Sequence, residues 1–119
     1  MAKKFEKPLP AGYAPRGREN VFMTIIGHHI YIYGGHSSNQ VYNDLYKLNK
    51  ITYIWEKINI KSGFTPPRLI GVSGARVGKK IYISGGCDND AKFCNKDTFI
   101  FDTENKEPKW EKLSDTQEE

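Results

Sequence analysis

The side chains able to do chemistry in this sequence fall into three groups, and none has the spacing of a reaction centre. His28 and His29 are adjacent, which invites a metal or acid–base reading. They sit between two short apolar runs, where the second half of the chain carries Lys79-Lys80. Neighbours at a strand end point to opposite sides and do not chelate together, so a solvated turn is expected. Cys87 and Cys94 are the two cysteines. Two cysteines alone do not complete a zinc site, and a disulfide framework would want more of them; free thiols in a reducing compartment are expected. His36 and Cys87 occupy matching positions in the two halves, but a Cys/His nucleophile pair needs contact and a third orienting group, and no orienter is evident. The third group is acidic: Asp88, Asp90 and Asp97 with Asn89 and Asn95. It lacks the alternating oxygen ligands, turn glycine and closing glutamate of a calcium loop, and reads as a solvated loop. Asp44 and Asp97 recur at one position of each half, which suits turn capping better than proton transfer. Phosphate-binding glycine loops, the nucleophile elbow and the zinc-protease helix motif are all missing from the sequence. No catalytic residue, metal or cofactor is expected.

Composition narrows the partners. Of 119 residues, 38% are hydrophobic and 27% charged, and mean hydropathy is −0.64. No stretch approaches the roughly 20 apolar residues that span a bilayer, and the start lacks the apolar core of a signal peptide. Aromatic residues reach 13%, too many for a disordered chain. The net charge of +4 lies in the first half, mainly at Lys3, Lys4, Lys7, Arg16 and Arg18. That excess is much weaker than the basic face of a nucleic-acid binder. Neither nucleic acid nor membrane is expected as a partner. The cytoplasm, or the nucleus, is the expected location.

The elements that must position these side chains come from a repeat. Pro15-Arg16 and Pro67-Arg68 each precede an apolar run ending at glycine (Gly27, Gly78). Ile30-Tyr31-Ile32-Tyr33-Gly34-Gly35 and Ile81-Tyr82-Ile83-Ser84-Gly85-Gly86 follow. After a polar loop come Asp44-Leu45-Tyr46 and Asp97-Thr98-Phe99, then Trp55-Glu56-Lys57-Ile58 and Trp110-Glu111-Lys112-Leu113. The glycine doublets lie 51 residues apart and the tryptophans 55, with the extra residues in polar loops where insertion is cheap. The apolar runs are short, rich in Ile, Val, Tyr and Phe, and bounded by Gly, Asn, Asp and Pro, without a sustained period of 3.6. Each unit therefore reads as four short antiparallel strands with almost no helix. The Trp55 and Trp110 strands, with their Lys and Glu, suit an outer edge.

This order of landmarks resembles the kelch repeat, whose period is near 50 residues. The resemblance covers about residues 15–113 and implies an all-β fold of two four-stranded antiparallel kelch-type blades, a partial β-propeller. Residues 1–14 would be a tail, 15–60 the first repeat, 61–113 the second, and 114–119 an acidic tail. The resemblance implies inner strands at Val21–Ile26 and Ile70–Val77. Arg16 and Arg68 would brace the lead-in to those strands, and Gly34, Gly35, Gly85 and Gly86 would turn the chain. Tyr31, Tyr82, Tyr46, Phe99, Trp55 and Trp110 would pack within or between blades. Gly71, Gly74 and Arg76 depart from the pattern and weaken the expected packing of the second blade. Propellers have 4 to 8 blades, and two blades would leave two sheet faces uncovered. The expected function is a non-catalytic protein–protein interaction module, completed by self-association or by another protein; the alternative is a fragment of a longer propeller. The copper chemistry of galactose oxidase, a propeller enzyme, needs Tyr, Cys and His ligands around the axis, and turn-tip histidines offer no such cluster. The expected binding surface combines Arg16, Arg18, His36, Ser37, Ser38, Asn39, Arg68, Asp88, Asn89 and Asp90.

Overall fold

The computed structural model describes residues 11–12, 14–61 and 63–113. Lys3, Lys4, Lys7 and the acidic tail 114–119 lie outside them. The described residues hold nine strands and no helix. In the first sheet, β2 (Phe22–Ile26), β3 (His29–Tyr33), β4 (Leu45–Asn49) and β5 (Ile54–Lys57) form an antiparallel meander. In the second, β6 (Ser73–Val77), β7 (Lys80–Ser84), β8 (Thr98–Asp102) and β9 (Trp110–Leu113) repeat it. Glycine explains the tight turns. Gly27 (φ 62°) and Gly78 (φ 63°) take the first place of two-residue hairpin loops, where positive φ matches the strand twist.

One element was not expected. β1 (Ala11–Gly12), within the supposed tail, pairs in parallel with β5 at Ile54 and Trp55 and makes the first sheet five-stranded. Gly12 (φ 85°) lies so close to the Trp55 carbonyl that a Cβ there would collide with it. The Trp55 strand is thus not an open edge.

Cross-strand register sorts the side chains into faces. Tyr31 pairs with Thr24 and Lys47, and Tyr33 with Phe22 and Leu45, so these share one face of the first sheet. Ile81 pairs with Phe101, Ile83 with Phe99, and Phe101 with Trp110, giving one face of the second. The two faces stack into a single core of Ile26, Tyr31, Tyr33, Leu45, Ile58, Ile81, Ile83, Phe99, Phe101 and Trp110. The Tyr33 and Trp110 rings meet edge to face at 5.4 Å between centroids. Gly74 has a clear purpose here: the Phe22 ring lies where its Cβ would be, so the inner strands β2 and β6 approach closely. The departure at this glycine is a fit between the sheets, not a weakness. Trp55, the counterpart of Trp110, is only partly buried, on the face of the first sheet turned away from this core.

Candidate functional site

The hairpin turns at Gly27-His28 and Gly78-Lys79 mark one end of the strands. The loops after the glycine doublets, residues 36–44 and 87–97, mark the other. Gly35 (φ 93°) and Gly86 (φ 87°) turn the chain there under the lead-in to each inner strand, where a Cβ would press on Val21 and Glu19, or on Val72 and Leu69. The lead-ins are locked by reciprocal backbone bonds. Glu19 and His36 exchange two at 2.8 and 2.9 Å, and Ile70 and Cys87 exchange two at 2.8 and 3.0 Å.

These bonds correct the expected braces. They equate Glu19 with Ile70, and therefore Arg18 with Leu69; the matching of Arg16 to Arg68 through their Pro-Arg pairs is out of register by one. Arg18 is the brace of the first sheet. Its side chain is 4% exposed, ion-paired with Asp44, donating to the Gly34 carbonyl at 3.1 Å, and stacked 3.7 Å from the centre of the Tyr42 ring. The second sheet puts buried Leu69 in the same place, and Asp97 instead faces Lys112 at 3.6 Å. Arg16 and Arg68 are exposed. Asp44 is thus an ion-pair partner and not a turn cap.

Cys87 and Cys94 also differ from expectation: they form a disulfide, with Cα atoms 4.0 Å apart. The loop folds back on itself, with Asp88 N–H donating to the Phe93 carbonyl and Asn95 N–H to the Gly86 carbonyl, both at 2.9 Å. Between those bonds the cysteines occupy a non-hydrogen-bonded pair, the closest kind in an antiparallel ladder. With both thiols joined, the thiol argument for a reducing compartment falls away. Asp88 is the loop's own cap, its carboxylate accepting from Lys92 N–H at 2.9 Å and Phe93 N–H at 3.3 Å. Buried Asn95 ties the loop to the sheet through the Gly85 and Asp97 carbonyls.

The remaining candidates converge. His36, Ser37, Ser38, Asn39 and Gln40 line an open groove together with Arg68, from the segment leading into the second blade, and Asn89, from the β7–β8 loop. Asn43 holds the connecting segment in place, donating to the Pro66 carbonyl at 2.7 Å, and so fixes Arg68 at the groove. Arg68 and Gln40 also border a second depression containing Arg16, Tyr42 and Lys57. The His36 ring is turned by Asn20, 3.0 Å from its Nε2. Asp90 is exposed on the same loop as Asn89, although it does not line the groove. The expected residues therefore share one rim, except that Arg18 and Asp88 are spent on internal contacts.

Two sites were not singled out from sequence. Lys57 joins the second depression only because β4–β5 register places it beside Tyr46. A separate polar cleft lies between the sheets, lined by residues that include Tyr31, Lys47, Lys61, Thr103 and Asn105. Burial raises the Tyr31 hydroxyl above its ordinary value of 10.0 there, and burial with Lys47 nearby lowers His29 below 6.5. His28 is exposed in its turn, whereas His29, expected in the same solvated turn, is the first residue of β3 and partly buried. Among the described residues, no three His, Cys, Asp or Glu side chains converge as a metal site would need.

Comparison with known proteins matches the whole architecture. The family model for the KLHDC2/KLHL20/DRC7 Kelch-repeats domain covers residues 2–119. A probable serine/threonine-protein kinase of Dictyostelium discoideum is 34% identical over 79 residues, 66% of this chain and 6% of that protein. Host cell factor of Drosophila melanogaster is 30% identical over 108 residues, 81% of this chain and 7% of that protein. N-acetylneuraminate epimerase of Haemophilus influenzae is 39% identical over 62 residues, 48% of this chain and 16% of that protein. The chain spans only a small part of each relative, and the relatives include proteins named as enzymes. The twofold repeat, the paired four-stranded meanders and the match over residues 2–119 agree, and the chain belongs to the kelch-repeat family.

Proposed function

We propose that this chain is a non-catalytic kelch module that docks a protein partner on the rim formed by the loops after the two glycine doublets. The observation carrying this reading is the convergence of residues 36–40, Arg68 and Asn89 on one groove. Each blade contributes a wall, so the groove exists only when the blades are packed together. Exposed Arg68 and Arg16 offer bidentate donors to carboxylates, and Ser37, Ser38, Asn39 and Asn89 supply adaptable hydrogen bonds. A polypeptide segment with acidic side chains fits this chemistry. The same rim would serve whether the uncovered blade faces are completed by a second copy, by another protein, or within a longer propeller.

The test compares partners captured by the unmodified chain, by Arg16→Ala with Arg68→Ala, and by His28→Ala with Lys79→Ala at the opposite end. The reading expects a captured set that the rim variant loses and the turn variant keeps, with both variants folded. Equal capture by all three would overturn it. Turnover of a small-molecule substrate that depends on rim residues would favour an enzyme instead.

A further inference from the structure

We propose that the uncovered face of the first blade is the docking surface for the second blade of another copy of this chain, joined head to tail. This rests on the two-blade reading; Tyr46 and Lys57 of this face also border the second depression of the rim, so it is tested at positions away from that depression.

The first argument is positional. Inside the chain, Ile81, Ile83, Phe99, Phe101 and Trp110 form the face that receives the first blade. On the uncovered face of the first blade, register places Ile30, Ile32, Tyr46, Leu48 and Trp55 in the same five places. The receiving surface is thus present twice, and among the described residues one copy of it is packed against another sheet. Ile81 and Trp110 are 0% and 3% exposed; in the first blade Tyr46 is buried at 7%, Ile30, Ile32, Leu48 and Trp55 are partly buried, and Met23 and Ile25 beside them on β2 are 58% and 52% exposed.

The second argument identifies the occupant. The outward face of the second blade is the counterpart of the first-blade face that fills the internal interface. Val77, Tyr82 and Leu113 stand there where Ile26, Tyr31 and Ile58 stand in the first blade, with the smaller Ser84 and Thr98 in the places of Tyr33 and Leu45. Val77 and Leu113 are exposed. Steric fit at the inner strands is kept by a reversal. Within the chain a large residue, Phe22, meets a small one, Gly74. Between copies the small Ser73 would meet the large Met23, so the summed volume stays near that of the internal contact. Charge also agrees. Lys57 is the one charged strand residue on the first-blade face, whereas the second-blade face carries Asp102 and Glu111 against Lys80.

Such an interface is heterologous, and it closes into a ring when the rotation permits. With two blades per copy and 4 to 8 blades in a propeller, two to four copies would close it.

Met23→Glu blocks the first-blade face and Ala75→Arg the second-blade face; both positions are exposed and outside the core. Each variant should be monomeric by sedimentation, with an unchanged circular dichroism spectrum. Mixed in equal amounts they should form a dimer of twice the 13.6 kDa chain mass and grow no further, because each retains the face the other lacks. Should either lose its fold, Ile25→Lys and Glu111→Lys make the same pair of blocks. A mixture that stays monomeric would overturn the proposal, as would either variant dimerising alone. Loss of rim binding in Arg68→Ala alone, at the groove beside Asn89, would leave all these masses unchanged.

Discussion

Burying a guanidinium costs several kcal/mol unless its charge and donors are met, and Arg18 is met by Asp44, the Gly34 carbonyl and the Tyr42 ring. Removing one partner of such a pair strands the other. Arg18→Ala should therefore destabilise the fold by about 3–5 kcal/mol in urea unfolding, and Arg16→Ala by no more than about 0.5 kcal/mol. The second blade manages with Leu69 in that place, so Arg18→Leu combined with Asp44→Asn should recover much of the loss. Tyr33 is a second residue whose burial is measurable. Loss of hydration, with Asp44 nearby, holds its hydroxyl well above the ordinary 10.0. Above pH 10 the unfolded chain releases that proton while the folded chain keeps it, so stability falls as pH rises. Tyr33→Phe should flatten the alkaline limb of the stability profile and leave the slope at neutral pH alone. Arg18 also shows where sequence reading stops. A Pro-Arg pair in each half drew attention to Arg16 and Arg68, but only the Glu19–His36 and Ile70–Cys87 bonds fix which residue lies under each doublet.

At the level of strands, coverage decides what a residue is worth. Trp110 and Trp55 close equivalent meanders, yet one is buried against Tyr33 and Phe101 and the other is half-exposed. Trp110→Ala should cost about 3–5 kcal/mol, as large core truncations do, and Trp55→Ala clearly less. Trp110→Phe should be milder than Trp110→Ala, because it keeps ring packing and removes an indole Nε1 that is buried with no hydrogen-bond partner among the described residues. Denaturant midpoints of the three variants check the order. The eight meander strands were legible because short β-branched and aromatic runs and their glycine punctuation are local signals. β1 was not, since pairing Ala11 with Ile54 is a long-range contact with no local pattern. The Cys87–Cys94 bridge was hidden for a related reason: it depends on how residues 88–93 fold back, and a cysteine count carries no register.

For the whole molecule, the stacking of two blades explains the groove and leaves each blade a second face turned outward. The rim was legible as two separate loops plus scattered arginines. Their meeting required the Asn43–Pro66 tether and the close approach of Phe22 to Gly74, neither of which has a motif. Two outward faces were expected from the repeat count, whereas the residues that stand on each needed the cross-strand registers. The most direct check is the solution mass of the unmodified chain by sedimentation across a wide concentration range. A concentration-dependent rise from 13.6 kDa to between two and four times that mass is predicted. A well-folded species that stays at 13.6 kDa at every concentration would contradict it.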